Sequence, residues 1–143
     1  MARIKIEMPE HFVFSTRTPV RINDINYGGH LGNDAVLSMI HEARIRFLTN
    51  YHYSEQNIEG LGLIMTDSAI VYRSEGFYGD VIQIDVAVGD FNKYGCDFYY
   101  LLSNQQTAKE LAIAKTGVVF FDYQTRKLKA TPPEFKKLFD PHG

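Results

Sequence analysis

The stretch Asn23–Asn33, NDINYGGHLGN, holds Asp24, Asn26, Tyr27, His30 and Asn33 among three glycines. Glycines let backbone N–H groups approach a ligand closely. The stretch runs into a helix start, where unsatisfied N–H donors and partial positive charge favour an oxygen ligand. A carbonyl oxygen placed there is polarised, which is what acyl transfer requires. The same side chains fit a plainer task, satisfying the backbone of their own tight loop. Further on come His41, Glu42 and Arg44. Asn33 and His41 are eight residues apart, slightly over two helical turns, and so lie close to one face. A half-buried His41 beside the apolar stripe is a candidate base at neutral pH. A core histidine bonded to backbone is the alternative. Glu42 and Arg44 are too close in sequence to meet on a helix. Each is expected to pair with a different strand or with a partner chain.

Other chemistries find little footing. No Gly-x-Ser-x-Gly elbow and no Gly-x-x-x-x-Gly-Lys phosphate loop occurs. Gly60-Leu61-Gly62 reads as a plain turn. His11, His30, His41, His52 and His142 contain no i, i+4 pair, so no metal is expected. The lone Cys96 excludes an internal disulfide and reads as a structural thiol in a reducing, cytoplasmic setting. Phe98-Tyr99-Tyr100 reads as sheet packing. The 15 basic against 17 acidic residues argue against nucleic acid or an anionic membrane as partner. No apolar run is long enough to span a bilayer, and MARIKIEMPEHF has no apolar leader core.

The elements that must position these residues follow from periodicity. Phe14–Ile22 reads as a strand, with Pro19 marking an edge or irregularity. Over Asp34–Asn50, Ala35, Val36, Met39, Ile40, Ala43, Phe47 and Leu48 form one apolar stripe. That helix is about 25 Å long. Asn33 or Asp34 is the expected N-cap, and Arg44 and Arg46 lie toward the end where cations suit the dipole. From Gly62 the period changes to two. Strands are expected at Leu63–Arg73, Val81–Val88, Cys96–Leu102 and Leu111–Tyr123, the last central and buried on both faces. The turns between them are short, which implies antiparallel pairing. Pro132-Pro133 opens a terminal helix, Glu134–Phe139. At 143 residues, with no linker, one α+β domain is expected: a five-stranded or larger antiparallel sheet wrapped around one long helix.

The run from Asp24 to Asn33, followed by His41-Glu42-Ala43-Arg44, resembles the hot-dog fold acyl-CoA thioesterases. The similar branch is the 4-hydroxybenzoyl-CoA thioesterase-like family. Its members often read Asp-x-Asp-x-x-Gly-His-Val-Asn-Asn, then Glu-x-Ala-Arg or Glu-Glu-Ala-Arg on the helix. Gly29 to Arg44 is 15 residues here, without a gap. The resemblance implies a hot-dog fold, acyl-CoA hydrolysis, CoA as part of the substrate with no other cofactor, and a homodimer or dimer of dimers. It also implies that the backbone N–H of Asn33 polarises the thioester carbonyl. Two positions depart from the pattern: Asn26 replaces the second Asp, and His41, beside Glu42, replaces the helix Glu. An amide is no general base. The expected solution is His41 as base for a water that Asn26 helps position, with Asp24 or Glu42 orienting the imidazole. A second version has Asp24 activate the water. Tyr27, His30 and Met65 are expected at the substrate, with Met39, Ile64 and Met65 lining the acyl pocket. CoA phosphates would meet exposed basic residues; the basic tail Arg126, Lys127, Lys129, Lys136 and Lys137 offers such contacts, a solvated face being the plainer reading. The alternatives are a non-catalytic acyl-CoA-binding module and a hot-dog enoyl-thioester hydratase using Asp24 and His30.

Overall fold

A computed structural model describes residues 3–140; His142 lies outside them. In chain order the elements are β1 (Phe14–Pro19), a 3-10 turn (Ile22–Asp24), α1 (Asn33–Asn50), β2 (Gly62–Tyr72), β3 (Val81–Gly89), β4 (Gly95–Asn104), β5 (Glu110–Asp122), β6 (Lys127–Leu128) and α2 (Pro133–Phe139). The sheet runs β1-β3-β4-β5-β2, every pairing antiparallel, with β6 hydrogen-bonded to β5. Pro19 ends an edge strand, as its missing N–H requires. β1 therefore stops short of Ile22, which opens the 3-10 turn instead.

All seven apolar positions of the α1 stripe are buried. They pack on the sheet face that carries Ile82, Ile84, Val86, Phe98, Tyr100, Leu102 and Phe120. With no Trp in the chain, phenylalanines fill the centre. Phe47 sits 5.8 Å from Phe98 and 5.2 Å from Phe139, so α2 closes one end of the core. Truncating such a ring to Ala costs about 3–5 kcal/mol. β5 lies between β4 and β2 and is buried along most of its length, as its continuous apolar run implies.

Three expectations are corrected. The cap of α1 is Gly32, which offers no side chain, rather than Asn33 or Asp34. No basic residue occupies the last turn of α1; Arg44 is drawn inward instead. β2 and β3 are not neighbours, although only eight residues join them. That connection crosses over the start of α1: Leu31 N–H donates to Gly76 O at 2.7 Å and Gly79 N–H to Val20 O at 3.2 Å. The crossover therefore roofs the loop singled out above.

A bulge in β2 sets which residues face the helix. The register shifts between Met65 and Asp67, so Thr66 is extra. Met65 and Ser68, three apart, consequently share the helix-facing side, opposite Val118 and Thr116. Asp67 points outward, accepting from Gly117 N–H at 2.9 Å and from Lys115 Nζ at 2.9 Å. No helix among the described residues is long and apolar enough to cross a membrane.

Candidate active site

The loop before α1 is held by its own polar side chains. Asp24 is buried, and its Oδ2 accepts the backbone N–H of Arg21 at 2.8 Å. Asn26 Oδ1 accepts from Gly28 N–H at 2.9 Å and His30 N–H at 3.4 Å, an Asx turn that leaves the Nδ2 group free among the described residues. Gly29, at φ 85°, supplies the left-handed residue the turn needs. Gly32 N–H donates to Asp24 O at 2.9 Å. This ladder aims the chain into α1. Among the described residues nothing accepts from the backbone N–H of Asn33, Asp34 or Ala35. These are the polarising donors of a helix start.

They lie beside a cavity of about 260 Å³ between α1 and the crossover. Leu31, Val36 and Leu111 make it apolar; His30, Asn33 and Tyr72 edge it. The His30 ring faces Leu31 O at 3.3 Å and Glu75 at 3.9 Å. Tyr27 is fully exposed at the loop tip.

A second cavity, about 370 Å³, opens further along α1. Ser38, His41 and Arg44 line it from the helix, Met65 and Ser68 from β2, Thr116 from β5. The β2 bulge is what brings Met65 into it. His41 is exposed here, its side chain 58% accessible, rather than half-buried. Its Nε2 lies 2.8 Å from Glu55 Oε1. The imidazole is thus held by Glu55, and neither Asp24 nor Glu42 touches it. Glu42 pairs with Arg46 on its own helix at 2.9 Å instead of with a strand. Arg46 in turn reaches β1, at Thr16 Oγ1 (2.9 Å) and Arg17 O (2.8 Å). Asp24 and Glu42 line a third pocket with Arg46.

Behind the second cavity runs a buried chain of bonds. Arg44 Nε donates to Glu55 Oε2 at 3.0 Å and Nη1 to Tyr100 Oη at 3.1 Å. Tyr100 Oη lies 2.9 Å from Thr116 Oγ1. Burial alone pushes the Glu55 carboxyl up. The His41 hydrogen bond and the Arg44 charge outweigh it and hold the group below the usual range. Burial raises the Tyr100 hydroxyl, keeping it neutral beside Arg44. Burial, with Asp97 nearby, also pushes up the Cys96 thiol, which fits a structural role.

The Thioesterase-like superfamily matches residues 20–139. The chain belongs to this superfamily. Solved structures agree on the fold. A 1,4-dihydroxy-2-naphthoyl-CoA thioesterase from Synechocystis is 23% identical, with TM-score 0.81 over 90% of this chain and 96% of that one. A probable thioesterase from Escherichia coli is 18% identical, with TM-score 0.72 over 89% and 95%. A Staphylococcus aureus protein solved in complex with CoA is 17% identical, with TM-score 0.78 over 93% and 84%. No curated relative matches the chain. The helix on a six-stranded antiparallel sheet is the hot-dog fold, and superfamily membership places the chemistry with thioester hydrolysis. Within that superfamily the residue missed by sequence reasoning is Glu55, which sits outside the recognisable motif and reaches α1 only through the fold.

Proposed function

We propose that the protein hydrolyses an acyl-CoA thioester to the free acid and CoA. The observation that carries this reading is the start of α1, whose partnerless N–H groups lie beside an apolar cavity. A thioester carbonyl accepting from Asn33 N–H gains the stabilisation that acyl transfer needs as charge builds on oxygen, about 3–4 kcal/mol for one such donor. His41 removes a proton from water, and the water oxygen bonds the carbonyl carbon. The tetrahedral intermediate collapses, the C–S bond breaks, and the CoA sulfur takes the proton back from the imidazolium. The free Nδ2 of Asn26 stands beside the helix start, where it helps hold the water. Asp24 is given no chemical step, since its carboxylate is committed to Arg21.

This reading places the two halves of the site on two chains. Asn33 and His41 are eight residues apart, about 12 Å along the helix axis, and they line different cavities. A homodimer solves this by setting the helix start of one protomer against His41 of its partner. β2 supplies a surface: it is an 11-residue edge strand, paired on one side only among the described residues. The reaction uses no cofactor beyond the CoA of the substrate.

The test is a panel of acyl-CoAs with a thiol-detecting reagent, run on wild type and His41→Ala. Release of CoA thiol by wild type and its loss in the variant are expected. Binding without thiol release favours a binding module, a reading that Asn26 at the usual carboxylate position supports.

A further inference from the structure

Glu55 belongs to no motif, and its loop follows α1 rather than preceding it, yet it is the residue that grips His41. The loop is rigid. Ser54 bridges Asn57 and Ile58 bridges Leu61, Asn57 Oδ1 accepts Gly60 N–H at 2.9 Å, and Ile58 is fully buried. Glu55 O accepts Leu63 N–H at 2.7 Å, tying the loop to β2. Both side-chain oxygens are engaged: Oε1 with His41 Nε2 at 2.8 Å and Oε2 with Arg44 Nε at 3.0 Å. Arg44 is itself buried and fixed on Tyr100. Glu55 does not line the cavity, whereas His41 and Arg44 do. With both oxygens engaged on His41 and Arg44, Glu55 is placed to orient the imidazole rather than to bind a substrate.

We propose that Glu55 is the positioning residue for His41, fixing the tautomer in which Nε2 carries the hydrogen and Nδ1 is the bare, basic nitrogen. The logic is one of donors and acceptors. Arg44 donates and cannot accept, so the oxygen facing it stays an acceptor. An ionised carboxylate offers a second acceptor to His41, and Nε2 must then donate. Nδ1 is left to take a proton from water. When it does, the new positive charge forms against the carboxylate already in place. The carboxylate missing from Asn26 and from position 41 therefore reappears from another element, one step removed from the reaction. This inference rests on His41 as the base.

Glu55→Gln tests it. The glutamine oxygen must face Arg44, so its NH₂ group faces His41. Nε2 is then forced to accept, and the hydrogen moves to Nδ1. In wild type, ¹⁵N spectra of His41 recorded where the imidazole is neutral should show Nε2 protonated and Nδ1 bare. Glu55→Gln should reverse this assignment and lower kcat by about 100-fold or more, as a wrong tautomer does elsewhere, with KM within about twofold of wild type by the same argument that Glu55 touches no substrate. Glu55→Ala imposes neither tautomer and should lose less activity than Glu55→Gln. A merely structural ion pair predicts the opposite order, because glutamine preserves more packing. Glu55→Gln that is as active as Glu55→Ala or more so, or that keeps the wild-type tautomer, overturns the proposal. Circular dichroism confirms folding, and if Glu55→Ala unfolds, the glutamine spectrum and its kcat decide alone. Full turnover by His41→Ala removes the base and, with it, any catalytic part for Glu55, whereas the ¹⁵N assignment still reads the Glu55–His41 contact separately.

Discussion

In the loop before α1 the polar side chains turn back on their own neighbours, Asp24 to Arg21 and Asn26 to Gly28 and His30. In the middle of α1 they reach across the molecule, His41 and Arg44 to Glu55 and Arg44 on to Tyr100 and Thr116. The loop is a local device that shapes and aims a helix start. The helix middle is a long-range device in which each member depends on a different element. Damage to the first should remain local. Damage to the buried members of the second, Arg44 above all, should spread, because a buried polar chain is strong only while every member is satisfied.

The largest effect is expected at His41. Its side chain is exposed, so His41→Ala should leave the thermal midpoint nearly unchanged while kcat for acyl-CoA falls by about 10²–10⁴. Parallel calorimetry and thiol-release assays check the split. Arg44→Met reverses the pattern and attacks the fold: it takes one of two partners from both Glu55 and the Tyr100 hydroxyl, at a cost of about 2–3 kcal/mol. Urea denaturation should show the lowered midpoint. Asn26→Ala removes acceptors for two backbone donors in a turn that water can reach. It should cost about 1 kcal/mol and lower kcat by less than His41→Ala does. If Asn26→Ala instead matches Arg44→Met in stability, the loop is no local device and the contrast fails.

The two regions were also unequally legible. The α1 stripe and the strand alternation announced the sheet on its helix, because burial on one face writes a period into the chain. β6 was not legible, since Lys127–Leu128 is too short to show any period. Nor was the crossover of residues 73–80, because a short connection reads as a hairpin until the sheet order is known. Asp24, Asn26 and Asn33 were visible as a motif, although their side chains mostly serve the loop. Glu55 carried no signal: a lone Glu in a loop acquires its meaning only when the fold returns that loop to α1. The Thr66 bulge was equally silent, yet it decides that Met65 rather than Asp67 faces the helix.

The smallest expected effect separates the regions by pH. Glu55 is ionised more readily in the folded protein than in the unfolded chain, since the His41 bond and the Arg44 charge outweigh its burial. A carboxyl depressed by folding contributes stability at pH above its unfolded value, about 4.3 for glutamate, and loses it as pH falls through the lower folded value. The stability gap between wild type and Glu55→Gln should therefore hold above that range and narrow below it. The change is small, because Glu55 is a quarter exposed and solvent screens the pair. The gap between wild type and Asn26→Ala should not move over the same acid window, since neither the amide nor the N–H groups it caps titrate there. Thermal midpoints of the three proteins through that window give both curves at once. A Glu55→Gln gap as flat as that of Asn26→Ala would mean that the carboxylate is no more perturbed than a solvated one, and the long-range network would lose its electrostatic half.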